Sequence, residues 1–315
     1  MTSRSGRAQD WRRRRTVLLF LSPWIVGFSV FVVYPMVSSL YFSFTKYDLL
    51  GAPEWEGLDN YQFMFSSDDI FWVSVRNTLW VVAIMVPAEV LFAMATAAIL
   101  TRPRRGAGAY RTIFYLPTMV PTVAAALGFL FVLSPNGPVN QVLGFLGVTD
   151  NQLPLWFANP SLSKPSLTML SLWAIGNTMV IFLAAMLDVP AQLYEAAEIE
   201  GAGAWAKFRH ITLPTISPVI FFSLVIGVIY GFQYFTEAYV VSTSAGSNEQ
   251  AGQALGAPDD SLMFYGTWLY QQGFSYFHMG YASAMAWVLF LIILLCTFVL
   301  LKSSKRWVHY GGALR

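Results

Sequence analysis

Six long apolar runs, a scarcity of charge and the lack of any barrel-like alternation predict an all-α integral membrane protein with six transmembrane helices. Charged residues make up 11% of the 315 and aromatic residues 16%, at a mean hydropathy of +0.53. That leaves too little polar surface to cover a water-soluble globule. About 20 helical residues cross a hydrocarbon core, and runs of that length lie near 17–41, 77–100, 112–133, 167–187, 219–241 and 281–301. In lipid the backbone satisfies its own hydrogen bonds, so such runs are helices, and none alternates as a barrel strand does. The chain thus reads as a basic terminus at 1–16, a transmembrane domain at 17–302 that contains a polar loop at 188–214, and a tail at 303–315.

The first run follows Arg12–Arg15 and resembles the start of a secretory or twin-arginine signal. Length opposes that reading. No charge occurs from Thr16 to Thr45, far beyond the ~7–15 residue apolar region of a signal peptide, and no small-residue cleavage site follows. A retained helix is expected. After it comes GAPEWEGLDNYQFMF, a turn followed by Trp55, Tyr61 and Phe63 at a depth suited to an interfacial aromatic belt.

In the second run Glu89 sits mid-membrane, where an isolated charge costs at least ~2.5–3.5 kcal/mol, so it must face protein or water. A hydrogen bond to a neighbouring helix or a protonated side chain is the first reading, and a part in transport the second. Pro117 and Pro121 are expected to kink the third run. The loop 134–165 is rich in turn formers, with a short surface helix expected over 139–147, and 242–257 is small and polar enough to be mobile.

Sixteen of the 19 basic residues fall on one side of these spans. Arg4, Arg7 and Arg12–Arg15 precede the first; Arg102, Arg104, Arg105 and Arg111 separate the second and third; Lys207 and Arg209 the fourth and fifth; Lys302, Lys305, Arg306 and Arg315 follow the sixth. By the positive-inside rule this side is cytoplasmic and holds both termini. Only Lys46, Arg76 and Lys164 lie opposite, where Asp48, Glu54, Glu56, Asp59, Asp68, Asp69, Glu249, Asp259 and Asp260 make the loops acidic.

No phosphate-binding Walker loop, His-Glu-x-x-His or Gly-x-Ser-x-Gly is present, and His210, His278 and His309 are far apart. Cys296 has no partner for a disulfide or a Cys-based metal cluster. No catalytic residue and no metal ligand is therefore expected.

The one long polar passage enclosed by apolar spans is EAAEIEGAGAWAKFRHITLP, residues 195–214. Pro190 suits the first turn of a helix that continues through strong helix formers. Gly201-Ala202-Gly203 permits a sharp turn, since glycine enters positive φ without strain. A second short helix is expected over 204–210, with Pro214 at the entry to the fifth span.

The register Glu-Ala-Ala, three residues, Gly201, nine residues, Ile-Thr-Leu-Pro resembles the coupling loop of ABC importer permeases. YFSFTKYDLL followed by EGLDNY, then RTIFYLPTMVP and the ending GYASAMAWVLFLIILL, resemble one of the two permeases of carbohydrate-type importers, of the maltose and glycerol-phosphate kind. The likeness runs from about residue 21 to 307. It implies a type I importer fold and a loop that enters a cleft of a cytoplasmic ATPase. Glu195 would make polar contact there, Ala196 and Ala197 would allow close approach, Gly201 would shape the turn, and Ile211, Leu213 and Pro214 complete the motif. Two departures are Glu200, where the family commonly has Asp, and STSAG in place of a glycine-rich turn after the fifth span.

The resemblance further implies a second permease as heterodimer partner, an ATPase dimer, an extracytoplasmic solute-binding protein and a bacterial-type inner membrane. No cofactor is expected on this chain, since ATP and magnesium belong to the ATPase. Polar or aromatic groups at mid-membrane are the candidate pathway: Asn177 and Thr178 in the fourth span, Tyr230, Gln233, Tyr234 and Glu237 in the fifth. Helix-to-helix hydrogen bonding is the competing role for each. An uncharged polar lining with aromatics favours a neutral di- or oligosaccharide, while glycerol-3-phosphate, another polar solute, or ion-coupled secondary transport remain open.

Overall fold

Three prolines inside apolar spans follow a widened turn and one stands at a break, whereas Pro23, Pro165 and Pro218 lie within unbroken α-helix. The computed structural model describes residues 4–102, 105–245 and 255–309; Arg104, Arg315 and positions 246–254, with Glu249, lie outside them. Among the described residues, four helices are long and apolar enough to cross a bilayer: Arg15–Phe42, Asp69–Leu100, Ala204–Phe232 and Met279–Ser304. Two bent pairs bring the number to six, Ala107–Met119 with Thr122–Val132 at 99°, and Pro160–Trp173 with Gly176–Leu187 at 51°. In chain order these are the six spans.

Pro35, Pro87 and Pro214 are met in the same way. In each case the residue just before the proline, Tyr34, Val86 or Leu213, donates its N–H five residues back, to Ser29, Val81 or Phe208. Each proline thus follows one π-helical turn, Ser29–Val33, Val81–Met85 or Phe208–Thr212. A proline ring clashes with the carbonyl four residues earlier, and the extra residue of a π turn widens the helix at that point. The helices continue through these sites. The third span breaks instead: Leu116–Met119 tightens into a 3₁₀ turn, Val120 and Pro121 become extended, and the expected kink is a 99° bend.

Two compact units are formed, Met1–Ser66 with Gln272–Val288, and Ser67–Gln271 with Leu289–Arg315. In the first, the loop after the first span is ordered by a short antiparallel ribbon that the sequence reading does not contain, pairing Thr45 with Trp55 and Lys46 with Glu54. Trp55 stacks on Phe44 at 5.6 Å between centroids. Asn60 donates to the Ser43 and Thr45 carbonyls at 3.2 and 3.1 Å. Gly280 approaches the Thr45 carbonyl so closely that any side chain would collide with it.

In the second unit the second span packs against the fourth and fifth. Two apolar clusters follow one another along it: Val81 and Met85 with Ala126, Leu167, Leu170 and Phe264, then Val90, Ala93 and Ala97 with Met179, Phe182 and Ile216. The fifth span presents Gly227 and Gly231 to Val82 and Val86, a Gly-x-x-x-Gly spacing that lets two backbones approach. Gly176 does the same at the bend of the fourth span, where a Cβ would lie 2.8 Å from the Phe114 carbonyl.

Polar groups pin the chain just before the sixth span. Asn77 donates to the Asp260 and Met263 carbonyls at 2.8 and 2.9 Å, Thr78 Oγ1 accepts from the Tyr265 N–H at 2.9 Å, and Trp268 Nε1 donates to Asp68 at 2.7 Å. Asp68 also caps the helix that begins at Asp69, accepting from the Phe71 N–H.

The fifth helix ends earlier than hydropathy suggests. It stops at Phe232, Gln233–Phe235 are non-helical, and a separate helix runs Thr236–Ala245. No proline marks the break, so helix-stop signals do not reveal it. The short helix expected over 139–147 is present as Pro138–Phe145.

A Cβ at Gly227 would lie 2.6 Å from Val86 Cγ1. Gly227→Leu is therefore expected to force the second and fifth spans apart at a cost of ~1–3 kcal/mol, read as a lower melting temperature in detergent. Gly231→Ala, whose nearest contacts are 3.1–3.6 Å, is expected to cost less.

Candidate functional site

The polar loop folds as a helical hairpin whose turn is dictated by one glycine. Pro190 stands at the cap rather than within the first turn, and the helix runs Ala191–Ile199. Gly201 has φ +78°. Its N–H donates to the Glu198 carbonyl at 3.0 Å and the Ala202 N–H to the Ala197 carbonyl at 2.9 Å, the paired bonds of a Schellman stop. Space around Gly201 is open, so the demand for glycine is conformational, not steric.

The expected second short helix is not separate. Residues Ala204–Lys207 lead through the π turn into the fifth span, forming one helix over Ala204–Phe232. Two contacts close the hairpin that the sequence reading did not single out. Tyr194 and Thr212 share a hydroxyl–hydroxyl hydrogen bond of 2.8 Å, and Lys207 meets Glu198 at 2.6 Å. The ion pair is largely exposed and contributes little; the Tyr194–Thr212 bond is better shielded, with Thr212 buried.

Between the two arms lies a cleft of 380 Å³ lined by small residues, Ala196, Ala197, Ala202 and Ala206, together with Ile211 and His210. Of the predicted coupling residues it gathers Ala196, Ala197 and Ile211. Glu195 and Gly201 are exposed outside it, and Leu213 and Pro214 are half-buried in the first α-helical turn beyond the π segment. Ile199 and Trp205 are large apolar side chains 89% and 69% exposed near the turn, Trp205 with its ring stacked on Phe208 at 5.8 Å between centroids.

A second cavity, of 400 Å³, opens among the second, fourth and fifth spans. It receives Asn177, Thr178, Tyr230, Tyr234 and Glu237, five of the six residues predicted for a pathway. Gln233 is not among its walls: it lies exposed in the break after Phe232. Glu89, Ser171 and Ser223 face the same cavity and were not predicted to belong to it. The charge of Glu89 in the middle of an apolar run was the available signal, read first as helix-to-helix bonding. Fold alone brings it beside Glu237, 148 positions later in the chain.

A third cavity, of 490 Å³, belongs to the first unit and is lined by Asp48, Glu56, Asp59, Phe63, Tyr276 and His278 among others. The Gly51 and Leu50 N–H groups hold the Asp48 carboxyl below its ordinary range, at 2.9 and 3.0 Å. Burial, and then the neighbouring Asp59, push Glu56 upward, with Lys46 opposing.

These features, a polar hairpin continuous with a helix that walls an intramembrane cavity, define a multi-pass membrane transport subunit. Residues 89–309 match the family described as binding-protein-dependent transport system inner membrane component, and the chain belongs to that family. It is 42% identical over 292 residues to the probable ABC transporter permease protein YesP of Bacillus subtilis, covering 92% of this chain and 91% of that one. It is 30% identical to the arabinooligosaccharides transport system permease protein AraP of the same organism, covering 98% and 96%. The fold is also that of a chain from a crystallised bacterial alginate ABC transporter in complex with an alginate pentasaccharide-bound periplasmic protein. That match has a TM-score of 0.79 at 23% identity and covers 95% of this chain and 96% of that one.

Tyr194→Phe removes the bond to Thr212 at ~1 kcal/mol, so amide hydrogen exchange over 204–212 is expected to quicken about fivefold. In carbon-detected NMR titrations Asp48 is expected to ionise at lower pH than Glu56. Since the folded-state pKa of Asp48 is lowered, its support of the 48–51 turn is present above the unfolded value and is lost as pH falls through the lowered one.

Proposed function

We propose that the chain is one of two permease subunits of an ATP-driven importer, that it forms half of the pathway for a sugar, and that it couples to a separate ATPase through residues 195–214. The observation that carries this reading is the continuity of the helix Ala204–Phe232. Its near end supplies Ala206, His210 and Ile211 to the hairpin cleft, and its far end supplies Phe222, Ser223, Ile226 and Tyr230 to the cavity. At 1.5 Å per residue, Ile211 and Tyr230 are about 28 Å apart along one helix. Force applied to the hairpin therefore reaches the cavity without crossing a loop.

The exposed Ile199 and Trp205 and the small-walled cleft suit docking of a cytoplasmic partner. The distribution of Lys and Arg supports a cytoplasmic hairpin and cytoplasmic termini. ATP and magnesium are assigned to the ATPase, and no cofactor to this chain. ATP binding closes the ATPase dimer, and the hairpins turn that closure into rigid-body rocking of the two permeases. A shift from mostly inward to mostly outward takes ~5.5 kcal/mol of differential binding, so nucleotide and the external binding protein must both favour the outward state. The arabinooligosaccharide relative and a cavity of hydroxyls, an amide, two carboxyl groups and aromatic rings support a di- or oligosaccharide as solute.

Co-purification with an ATPase, followed by solute uptake into proteoliposomes only when ATP is supplied on the ATPase side, is the expected result; uptake driven by an ion gradient and indifferent to ATP would reject it. Gly201→Val places a β-branched residue at φ +78°, a strain of ~1–3 kcal/mol. It is expected to leave the protein inserted and ATP hydrolysis running while uptake falls about tenfold or more, measured as the ratio of solute moved to ATP consumed.

A further inference from the structure

The cavity among the second, fourth and fifth spans contains two carboxyl groups and, among the described residues, no Lys, Arg or His. Glu89 comes from the second span and Glu237 from the first turn of the helix Thr236–Ala245, so separate elements deliver them to one space. Neither is in an ion pair among the described residues. Between these elements Tyr234 is 8% exposed, and its hydroxyl makes no hydrogen bond within the described residues. The Ser171 hydroxyl, which lines the same cavity, is directed at Met85 Sδ at 3.5 Å.

We infer that Glu89, Tyr234 and Glu237 form the charge filter of the pathway, admitting a saccharide unit that bears no negative charge and rejecting uronates and phosphate esters. This rests on the reading of the chain as a saccharide importer permease.

The physical argument has three parts. A buried hydroxyl left without a partner is costly unless something occupies the cavity and bonds to it, and a sugar hydroxyl does so as donor or acceptor. Carboxyl groups accept hydrogen bonds from sugar hydroxyls, or from the ammonium of an amino sugar, with no other cation needed. An anionic unit would enter a space with two carboxyl groups and no Lys, Arg or His to offset its own desolvation, which disfavours its binding by about tenfold or more. Tyr230, 69% exposed, adds a ring face for stacking, which is indifferent to charge sign on the solute's far side.

The test uses the complete transporter, this chain with its second permease and ATPase dimer, in nanodiscs without nucleotide and without the binding protein, so that the external receptor does not preselect the solute. Saturation-transfer NMR is run with three probes of equal length: maltotriose (neutral), the fully deacetylated chitosan trimer (cationic) and trigalacturonate (anionic). Wild type is expected to bind maltotriose and the chitosan trimer at least about tenfold more tightly than trigalacturonate. The isosteric E89Q/E237Q variant is expected to bring trigalacturonate to within about threefold of maltotriose. Y234F is expected to weaken maltotriose about fivefold while leaving the ranking of the three unchanged.

Equal binding of maltotriose and trigalacturonate by wild type, or a ranking that the double variant leaves untouched, overturns the filter. So does absence of binding of all three probes. Assembly of each variant with its partners, checked by size-exclusion chromatography, separates loss of fold from loss of selectivity. ATP-driven uptake that persists while the ranking fails sinks only this assignment; absence of ATP-driven uptake sinks the importer reading beneath it.

Discussion

A proline in a helix that crosses hydrocarbon removes a donor where no water can replace it, and its ring presses on the carbonyl four residues back. This chain keeps three such helices running by inserting a π turn before Pro35, Pro87 and Pro214. Continuity at Pro214 is what makes the hairpin and the fifth span one helix. The widened turn before Pro87 precedes the stretch of the second span, from Met85 to Val90, that walls the cavity. Where the chain breaks instead, at Val120–Pro121, it gives up continuity for a bend.

Around these helices the packing follows from small residues more than from apolar bulk. Lipid tails are as apolar as leucine, so spans gain by close approach. Gly227 and Gly231 against Val82 and Val86, and Gly176 against the Phe114 carbonyl, supply that approach in the second unit. Apolar clusters lie along the second span toward either end of the Met85–Val90 stretch, and the cavity forms at that stretch, where Glu89, Ser171, Ser223 and Tyr234 join Met85, Val86, Val90 and Ile181 in its walls.

Much of the site was legible in one dimension. The hairpin could be placed from its glycine and its helix formers, since Gly201 does adopt the positive φ that its position calls for. Five residues that line the cavity could be chosen because polar groups are rare in apolar runs. Gln233 lies outside that cavity, turned out by the helix break after Phe232, which no proline marks. The second short helix after Gly203 was likewise drawn as separate because a proline normally signals a boundary, and a π turn suspends that rule.

The amino-acid sequence by itself determined that this chain lies in a membrane, how many spans it has, which loops carry the positive charge and where the polar hairpin turns. Those are properties of composition, length and local backbone preference, and each is read within a window of a few residues. Only the tertiary structure decided that Glu89 and Glu237 share one cavity, that Tyr194 closes the hairpin on Thr212, and that hairpin and cavity are joined by a single helix. Those facts depend on which helix faces approach one another, and that choice is made by small residues and by π turns whose effect on a helix's direction and face is not expressed in hydropathy.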